Sequence, residues 1–497
     1  MIKVVSVENM KKSDAATIAQ GTLGKELMRR AGQAVFDNAH FLEPIAIVCG
    51  SGNNAGDGFV LASLLKKAGK KCTIFLLADK FSLDGKYYFL ACQKQGIAIE
   101  HCTAATDFNC FKTIVDCIFG TGFSGNVRGL AQEVISKINS SSAYIISLDI
   151  NSGLGGDSGL ADLCVHSDLT VSIADFKAGH FLNMAKDVIK QKINCDIGIR
   201  LAEPPFLLVE AADIKHLFVR GQYSNKGSYG YVTLIGGSIE YSGAAKLANL
   251  ALCALRAGTG VAKLAVPASI CYSVMPYLLE STLFPLSDNN GSISYCKEEI
   301  DNLLKNTKAV ALGMGIGQSA EIKQLLLHIL SKYNGVAIID ADGLNVLATM
   351  DKRILQQAKC KVILTPHLKE FERLSGIPIA EINKNPINIS RQFAKQNGVI
   401  LLLKGTCTII TDGKEAYLVD KGTSGMATAG SGDVLSGILA GVCGYAKEQD
   451  LLLSVAASAY INGLAGELAQ AKLNAVSMLA SDTVACIGKA ISKILKA

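Results

Sequence analysis

Short apolar runs alternate with amphipathic segments through the first half of the chain. The runs are rich in β-branched residues and predict strands at Ile45–Cys49, Lys71–Leu77, Ile97–His101, Thr113–Ile118, Tyr144–Ile150 and Leu169–Ala174. Between them, segments such as Phe59–Ala68 and Ala131–Ile138 have the spacing of helices that bury one face. This alternation predicts a doubly wound α/β domain on a parallel sheet, with ligands at its carboxyl edge.

The alternation stops and then starts again in the second half. Around Glu203-Pro204-Pro205 it breaks, and residues 211–227 are polar and rich in turn formers, so we place a domain boundary near 205–222. Strands are predicted after it at Tyr229–Ile235, Val261–Val266, Ala309–Gly313, Gly335–Asp340, Lys361–Thr365 and Val399–Lys404, and long helices at Ser242–Ala257, Asp433–Ala446, Leu452–Ala471 and Ser481–Leu495. We therefore expect two α/β domains, at 1–210 and 220–497.

Composition narrows the class of protein. The chain has 497 residues, of which 49% are hydrophobic and 19% charged, as is typical of packed globular domains. The net charge of +6 is spread along the chain, so we expect no nucleic-acid partner. The 15 cysteines stand singly, which is typical of buried thiols in a reducing cytosol. Met1–Ser6 lacks the apolar core of a signal peptide, and polar residues interrupt Leu451–Leu468, so we expect a cytoplasmic protein without a membrane span.

Three predicted strand ends in the first half carry glycine together with Asp, Asn or Ser. They are the turn at 50–58, the stretch from Asp116 to 126, and Asp149 with the residues up to 153. Such edges converge on one cleft, although a glycine-rich turn also serves packing and a lone Asp also caps helices. Asn54, Asp116 and Ser152 offer oxygen atoms to a common hard cation, which leaves Asp149 as a candidate proton-transfer group.

A second glycine-rich turn, at 429–433, opens a helix in the second half. Its free N–H groups would form an anion hole for a transferring phosphoryl group. Asp433 is placed to take a proton from a substrate hydroxyl, and the alternative is an aspartate that only caps the helix.

Other strand ends of the second half carry candidate ligand groups. Lys404 and the residues up to 408 join two β-type runs, so they either touch a nucleotide phosphate or form a plain hairpin. His367 ends a strand and is either a site residue or a structural histidine. Asp340 and Asp342 suit magnesium or polar substrate groups.

The motifs GSGNNAGDG, VDCIFGTGFSG and SLDINSGL resemble the family of NAD(P)H-hydrate epimerases, the YjeF N-terminal domain. The resemblance implies that two loops hold the nucleotide, through Asn53, Asn54, Ala55, Gly56 and Asp57 and through Gly120, Thr121, Gly122, Phe123, Ser124, Gly125 and Asn126. It further implies that a potassium ion binds at Asn54, Asp116 and Ser152, and that Asp149 contacts the hydrated nicotinamide. Ala55 and Asn151 stand where the family usually has glycine and proline.

The motifs KGSYGYVTLIGGS, YSGAAKLA, LGMGIG, DADGLN, TPHLKEF, LKGT and AGSGDVLSG resemble ribokinase-like proteins, and among them the ADP- or ATP-dependent NAD(P)H-hydrate dehydratases. The resemblance implies that the adenine nucleotide is contacted by Lys404, Gly405, Thr406, Cys407, Thr408 and Gly432. It implies that the hydrated dinucleotide is contacted by Ala244, Gly317, His367 and Asp433, with Asp433 as the base. Asn225 stands where the family often has histidine.

Together the two resemblances imply a bifunctional repair enzyme for hydrated nicotinamide cofactors. We expect two three-layer αβα domains, an N-terminal Rossmann-like doubly wound sheet and a C-terminal ribokinase-like domain. The first would epimerise the R and S forms of hydrated NADH and NADPH with K⁺, and the second would dehydrate the S form with Mg²⁺ and ADP or ATP. We also expect a homo-oligomer. The alternatives are a small-molecule kinase fused to a nucleotide-binding domain, and a non-enzymatic interaction module.

Overall fold

The computed structural model describes residues 1–253 and 257–497. It divides the chain into two compact units, Lys3–Phe206 and Leu207–Ala497, and residues 1–2 group with the second. The end of the helix expected over Ser242–Ala257 lies in part outside the described residues.

The first unit is built on a seven-stranded sheet in which every pair of neighbours is parallel. Its strand order is β4-β3-β2-β5-β6-β7-β9. The strands are β2 (Ile45–Cys49), β3 (Cys72–Leu76), β4 (Ala98–His101), β5 (Thr113–Cys117), β6 (Tyr144–Leu148), β7 (Ser167–Ile173) and β9 (Ile189–Cys195). Two further short strands, β1 (Ile2–Val5) and β8 (Phe176–Lys177), pair in parallel with each other. The chain builds outward from β2 and then returns to β5, which makes the sheet doubly wound, as predicted.

Helices cover both faces of this sheet. They are α1 (Val7–Ala19), α2 (Gly24–Asn38), α3 (Asn53–Lys67), α4 (Leu83–Lys94), α5 (Leu130–Ser140) and the short α6 (Ala185–Val188). Alternate side chains of β2 point to opposite faces of the sheet. Ile47 packs in a hydrophobic core with α3, and Val48 packs in a second core with α5. Because β2 is buried on both faces, its sequence reads as an unbroken apolar run. The unit therefore has three layers.

The second unit is built on a longer sheet with the order β13-β12-β11-β16-β17-β18-β19-β20-β21-β10. The strands are β10 (Phe206–Leu208), β11 (Tyr231–Ile235), β12 (Val261–Pro267), β13 (Thr282–Leu286), β16 (Ala309–Leu312), β17 (Val336–Ile339), β18 (Lys361–Leu364), β19 (Ile400–Leu403), β20 (Thr408–Thr411) and β21 (Ala416–Val419). A separate hairpin is formed by β14 (Asp288–Asn289) and β15 (Ser292–Ile293). Only the pairs β19–β20 and β20–β21 of this sheet are antiparallel among the described residues.

Helices of the second unit form the layers on its sheet. They are α7 (Ala211–Ile214), α8 (Ser242–Cys253), α9 (Cys271–Val274), α10 (Lys297–Leu304), α11 (Ala320–Lys332), α12 (Ala341–Ala348), α13 (Arg353–Gln356), α14 (Leu368–Ser375), α15 (Ile379–Lys384), α16 (Pro386–Asn397), α17 (Ser431–Cys443), α18 (Leu451–Lys472) and α19 (Ala480–Lys496). The central α17 packs between α8 and α18 and against the sheet, and every residue from Val434 to Cys443 is buried. This α/β architecture is the ribokinase-like one that the sequence predicts.

One helical stretch of the described chain, residues 448–472, is long and apolar enough to cross a membrane. Its most apolar window has a mean hydropathy of 1.3, but 83% of that window is buried inside the protein. The prediction of a buried core helix at Leu451–Leu468 is confirmed, because α18 packs on α17 and α19.

Candidate active sites

The first site lies where the strand order of the first unit reverses. The connections that leave β2 and β5 diverge to opposite sides, so their loops leave a crevice at the carboxyl ends of these strands. The loops approach closely at Gly50, where a Cβ would collide with the carbonyl oxygen of Ile118. A cavity of about 540 Å³ opens at this point.

The cavity gathers most of the predicted nucleotide-binding residues. Its lining includes Asn53, Asn54, Asp57, Gly120, Thr121, Gly122, Phe123 and Asp149. Ala55 and Gly56 are buried in the first turn of α3, and Ser124, Gly125 and Asn126 lie farther along the second loop. The ring of Phe123 stacks on that of Phe119, with centroids 4.5 Å apart, so an aromatic surface forms part of the lining.

Asp149 is held in an unusual backbone conformation at the end of β6. Its φ is 63°, in the left-handed region that non-glycine residues rarely adopt. The backbone N–H of Ile173 donates to its Oδ1 at 3.3 Å, and the buried ammonium of Lys177 forms an ion pair with the same oxygen. Lys177 also donates to the carbonyl oxygen of Ile173 at 2.7 Å, so its position is fixed from two sides.

His180 fixes the backbone of Asp149. Burial, together with the nearby charge of Lys177, lowers the pKa of His180 to about 4, so the ring is neutral at pH 7. Its Nδ1 accepts from the N–H of Lys177 at 2.9 Å, which leaves Nε2–H to donate to the carbonyl oxygen of Asp149 at 2.7 Å. The sequence reasoning missed both Lys177 and His180. The only available signal was that FKAGH follows a predicted strand end.

A cluster of oxygen atoms lies beneath the cavity, around the fully buried Asp116. The N–H of Ser152 and the hydroxyl of Ser147 each donate to Asp116 Oδ2 at 2.9 Å, and the hydroxyl of Ser152 donates to Oδ1. Burial raises the pKa of Asp116, and these hydrogen bonds oppose that rise. The sequence placed Asn54, Asp116 and Ser152 together, and the fold brings all three to this point.

Asn54 carries an unused oxygen in this cluster. Its Nδ2 donates to the carbonyl oxygens of Phe119 at 3.0 Å and Leu148 at 3.3 Å. Its Oδ1 is buried and finds no hydrogen-bond partner among the described residues. A buried oxygen without a donor costs about 1–3 kcal/mol, which a cation would relieve. The hard oxygen donors of Asn54, Asp116 and Ser152 therefore fit a monovalent cation.

The second site is built on the start of α17. Gly430 is the N-cap and has a φ of 90°, a conformation that glycine adopts without strain. Asp433 lies in the first turn of α17 and not at the N-cap. The alternative that Asp433 only caps the helix is therefore wrong. Burial and the charge of Asp340 raise the pKa of Asp433 to about 7, although the charge of Lys404 opposes the rise.

A buried ion pair stands beside this turn. Lys404 Nζ lies 3.0 Å from Asp340 Oδ1 and 3.7 Å from Glu370 Oε2. Burial disfavours the charge of Lys404, but these carboxylates outweigh it and raise the pKa of Lys404. The hydroxyl of Ser436, in α17, donates to Asp340 Oδ2 at 2.7 Å. A Cβ atom at Gly432 would lie 3.6 Å from Lys404 Nζ, so the glycine-rich turn lies directly against the ion pair.

The loop after Lys404 is a hairpin that also borders the site. It joins β19 to the antiparallel β20, so the prediction of a hairpin at this position is confirmed. Gly405 and Thr406 are exposed at its tip, Cys407 is buried, and Thr408 begins β20. Because Lys404 also lies next to Gly432, the hairpin does not exclude the predicted contact with a nucleotide phosphate.

The other predicted residues of the second site occupy neighbouring strand ends. His367 is the N-cap of α14, where Nδ1 accepts from the N–H groups of Lys369 and Glu370 at 3.1 and 3.3 Å. Gly317, with a φ of 77°, donates its N–H to Asp342 Oδ2 at 3.0 Å. Ala244 lies in the first turn of α8. Glu370 and Ser436 belong to the same network and were missed by the sequence reasoning.

Comparisons with known proteins cover both units. A family described as NAD(P)H-hydrate dehydratase matches residues 232–489, and one described as YjeF-related protein N-terminus matches residues 24–179. Proteins named bifunctional NAD(P)H-hydrate repair enzyme Nnr are similar over nearly the whole chain. The one from Moorella thermoacetica is 34% identical and spans 92% of this chain and 90% of its own length. The one from Coxiella burnetii is 30% identical, with 95% and 96% covered.

A solved structure resembles the second unit. It is the ADP/ATP-dependent NAD(P)H-hydrate dehydratase of Bacillus subtilis, co-crystallised with ATP and Mg²⁺. It is 26% identical to this chain, covers 58% of it and 99% of its own length, and superposes with a TM-score of 0.51.

Proposed function

The chain belongs to the family of bifunctional NAD(P)H-hydrate repair enzymes, and we propose that its two sites divide this repair between them. The protein is an enzyme with epimerase and dehydratase activities. It interconverts the R and S forms of hydrated NADH and NADPH, and it dehydrates the S form with ADP or ATP and Mg²⁺. The alternative of an unrelated small-molecule kinase is not supported, because the relatives that match both units are repair enzymes.

The two activities map onto the two units. We assign the epimerase to residues 1–210 and the dehydratase to residues 220–497, which agrees with the matches at 24–179 and 232–489. An interaction module without activity would not need the polar groups of Asn54, Asp116 and Asp149, and all three are present. We further propose a cytoplasmic homo-oligomer with no nucleic-acid or membrane partner.

Phosphorylation followed by elimination accounts for the groups at the second site. Asp433 takes the proton of the ring hydroxyl, whose oxygen attacks the terminal phosphoryl group of the nucleotide. The N–H groups at the start of α17 stabilise the charge that develops there. Phosphate, a far better leaving group than hydroxide, then leaves with the electron pair of the C–O bond. Loss of a proton from the neighbouring ring carbon forms the C=C bond and restores the dihydronicotinamide. The observation that carries this assignment is the raised pKa of Asp433. A pKa of about 7 suits a base at neutral pH.

The remaining predicted residues hold the two substrates at this site. Lys404 and its hairpin, up to Thr408, together with Gly432, contact the adenine nucleotide. Ala244, Gly317 and His367 contact the hydrated dinucleotide. Asp340 already accepts from Lys404 and Ser436, so Asp342, with lone pairs to spare beyond Gly317 and Gln318, is the carboxylate that fits Mg²⁺. The metal would neutralise the phosphates of the nucleotide.

One assay tests the proposed function. A mixture of both epimers of hydrated NADPH is incubated with the protein, Mg²⁺ and ADP or ATP. We expect the dihydronicotinamide absorbance to recover completely, with one inorganic phosphate released for each NADPH when ADP or ATP is consumed. A kinase with another substrate would produce neither change in this mixture, and an interaction module would consume no nucleotide. Either result would contradict the assignment.

We propose that K⁺ binds at Asn54, Asp116 and Ser152. Removal of K⁺ is therefore expected to lower the stability of the folded first unit. Bound K⁺ would satisfy Asn54 Oδ1 and offset the buried charge of Asp116. At roughly a hundred times its Kd, a ligand stabilises the folded state by about 2.7 kcal/mol. We expect the unfolding midpoint and the epimerisation rate to fall together when choline replaces K⁺ at equal ionic strength.

The variant Asn54→Leu should be insensitive to this exchange, whereas the control Asn38→Ala, at an exposed position of α2, should respond like the wild type. A wild-type midpoint that is the same in K⁺ and choline would exclude the potassium site.

A further inference from the structure

Epimerisation requires two proton-transfer groups, and Asp149 supplies only one. The carbon that carries the hydroxyl in a hydrated dihydronicotinamide is also bonded to the ring nitrogen. To open the ring, a base takes the hydroxyl proton, a C=O bond forms, and the electron pair of the C–N bond passes to nitrogen, which receives a proton. After rotation about the adjacent single bond, the same steps in reverse close the ring with the opposite configuration. Each stage therefore needs an acid and a base at once.

A second carboxyl group faces the same cavity from helix α1. Asp14 lines the cavity together with Asp149 and Lys177. It is only partly exposed, and its carboxyl group forms no hydrogen bond that would occupy it among the described residues. Asp149 differs from it, because the carboxyl group of Asp149 is occupied by Lys177 and the N–H of Ile173. Asp14 is thus an unengaged acid on the lining of the same cavity as Asp149, the group that we propose contacts the ring.

Helix α1 is anchored firmly enough to present Asp14 in a fixed position. The N–H of Val7 donates to Asp157 Oδ1 at 2.8 Å at the start of the helix. One residue before Asp14, the hydroxyl of Ser13 accepts from the N–H of Ala202 at 2.9 Å. The side chain of Asn9 donates to the carbonyl oxygen of Glu203 at 3.1 Å. The helix is therefore tied to the rest of the first unit at Val7, Asn9 and Ser13, in the two turns that lead up to Asp14.

The charges around Asp14 allow it both to hold and to release a proton near neutrality. Burial raises its pKa to about 6, with the charge of Lys177 opposing the rise and that of Asp149 adding to it. Asp57, in α3, also faces this group, but burial and the charges of Asp149 and Asp14 raise the pKa of Asp57 well above its usual range. A carboxyl group that ionises with such difficulty is a poor reversible proton carrier. Lys11 and Asp84 are the other charged groups on the cavity lining.

We propose that Asp14 is the second catalytic residue of the epimerase, which exchanges a proton with the ring nitrogen while Asp149 exchanges one with the hydroxyl. Lys177 is a positioning residue that holds Asp149. This inference rests on the proposed epimerase function of the first unit. The cycle balances: Asp14 gives a proton to nitrogen on ring opening and recovers it on closing, and Asp149 takes the hydroxyl proton and returns it.

The test uses the full-length enzyme and one purified epimer of hydrated NADPH without nucleotide, so that dehydration is silent. Appearance of the other epimer is followed by chromatography, and the spontaneous rate is subtracted. For Asp14→Asn we expect kcat to fall by about 100-fold or more, as is usual for loss of a proton-transfer group, with KM within about threefold of wild type. Asp14→Glu should recover part of the rate. Glu8→Gln, an exposed position on the same helix, is the matched control and should be fully active.

The pH profile separates catalysis from a structural role. Asp14 must be protonated at the start, so wild-type kcat/KM should fall as pH rises through the pKa of Asp14, and the residual activity of Asp14→Asn should lack this limb. Retention of kcat with a raised KM or a lowered unfolding midpoint would show a structural role and overturn the proposal. So would loss of kcat in Asp57→Asn but not in Asp14→Asn. If the wild type does not interconvert the epimers, the epimerase assignment itself fails.

Discussion

Replacing Asp433 by asparagine is expected to lower the rate of dehydration by about 1,000-fold while the protein stays folded. The amide keeps the shape of the side chain but cannot take the proton of the ring hydroxyl, and proton-transfer groups contribute about 10²–10⁴-fold to rates. The measurement is recovery of NADPH from its purified S hydrate with saturating Mg²⁺ and ADP or ATP. Near wild-type recovery by the variant would show that Asp433 is not the base.

The same substitution should stabilise the protein above neutral pH. Because burial raises the pKa of Asp433 to about 7 in the folded state, ionising this group costs more there than in the unfolded chain. The cost is absent below pH 3 to 4, where both states are protonated, and it is complete once the pH exceeds the folded pKa. Asp433→Asn removes it, so we expect the variant to be more stable than the wild type by about 2–4 kcal/mol at pH 8 and equally stable at pH 3.

The exposed Asp351 provides a control with the opposite sign. Its hydrogen bond and ion pair with Arg353 lower the pKa of Asp351, so Asp351→Asn should lose a small stabilisation that exists only above the unfolded pKa. Its dehydration rate should equal that of the wild type. Urea unfolding at both pH values, followed by circular dichroism, measures the differences. If Asp433→Asn is inactive and also less stable than the wild type at pH 8, its inactivity reflects unfolding. That result would contradict the assignment of Asp433 as a buried base whose ionisation destabilises the folded protein.

The strands were predicted better than the first helices, for a physical reason. Buried parallel strands such as β2 and β5 are short apolar runs, and burial on both faces makes them visible in the sequence. Helix α1 was not predicted, because the face it buries carries the polar residues Asn9, Ser13 and Thr17 along with Met10. Asn9 and Ser13 bond to Ala202 and Glu203, far along the chain, and such partners leave no hydrophobic periodicity.

The site was predictable only where its residues follow strands. The glycine-rich turns and the polar groups at strand ends could be found, because the carboxyl edge of a parallel sheet gathers them. Lys177 could not be found in this way. It lies in the two-residue strand β8, and only the folded chain shows that this lysine is buried against Asp149, 28 residues away. Asp14 escaped notice because its helix did.

Replacing Asp149 by alanine should stop interconversion of the epimers and should also destabilise the first unit. Without Asp149 the ring hydroxyl has no base, so in a short assay with nucleotide only the S half of an equal mixture is consumed. The ammonium of Lys177, 1% exposed, is then left buried without its counter-charge. Removal of one partner from a buried ion pair costs about 3–5 kcal/mol. Dehydration of purified S hydrate, catalysed by the second unit, should be unaffected.

A double variant separates the two effects. In Asp149→Asn/Lys177→Met both charges are gone, so we expect most of the lost stability to return, because an uncharged pair no longer has to be desolvated. Epimerisation should stay absent, since the asparagine cannot accept a proton. Lys177→Met alone should lose both stability and activity, because Asp149 then lacks the group that holds it in place.

The measurements are urea unfolding and epimer exchange, with the spontaneous rate subtracted. Rapid and complete consumption of the mixture by Asp149→Ala would refute the role of Asp149, and an unstable double variant would refute the ion pair as the source of the instability.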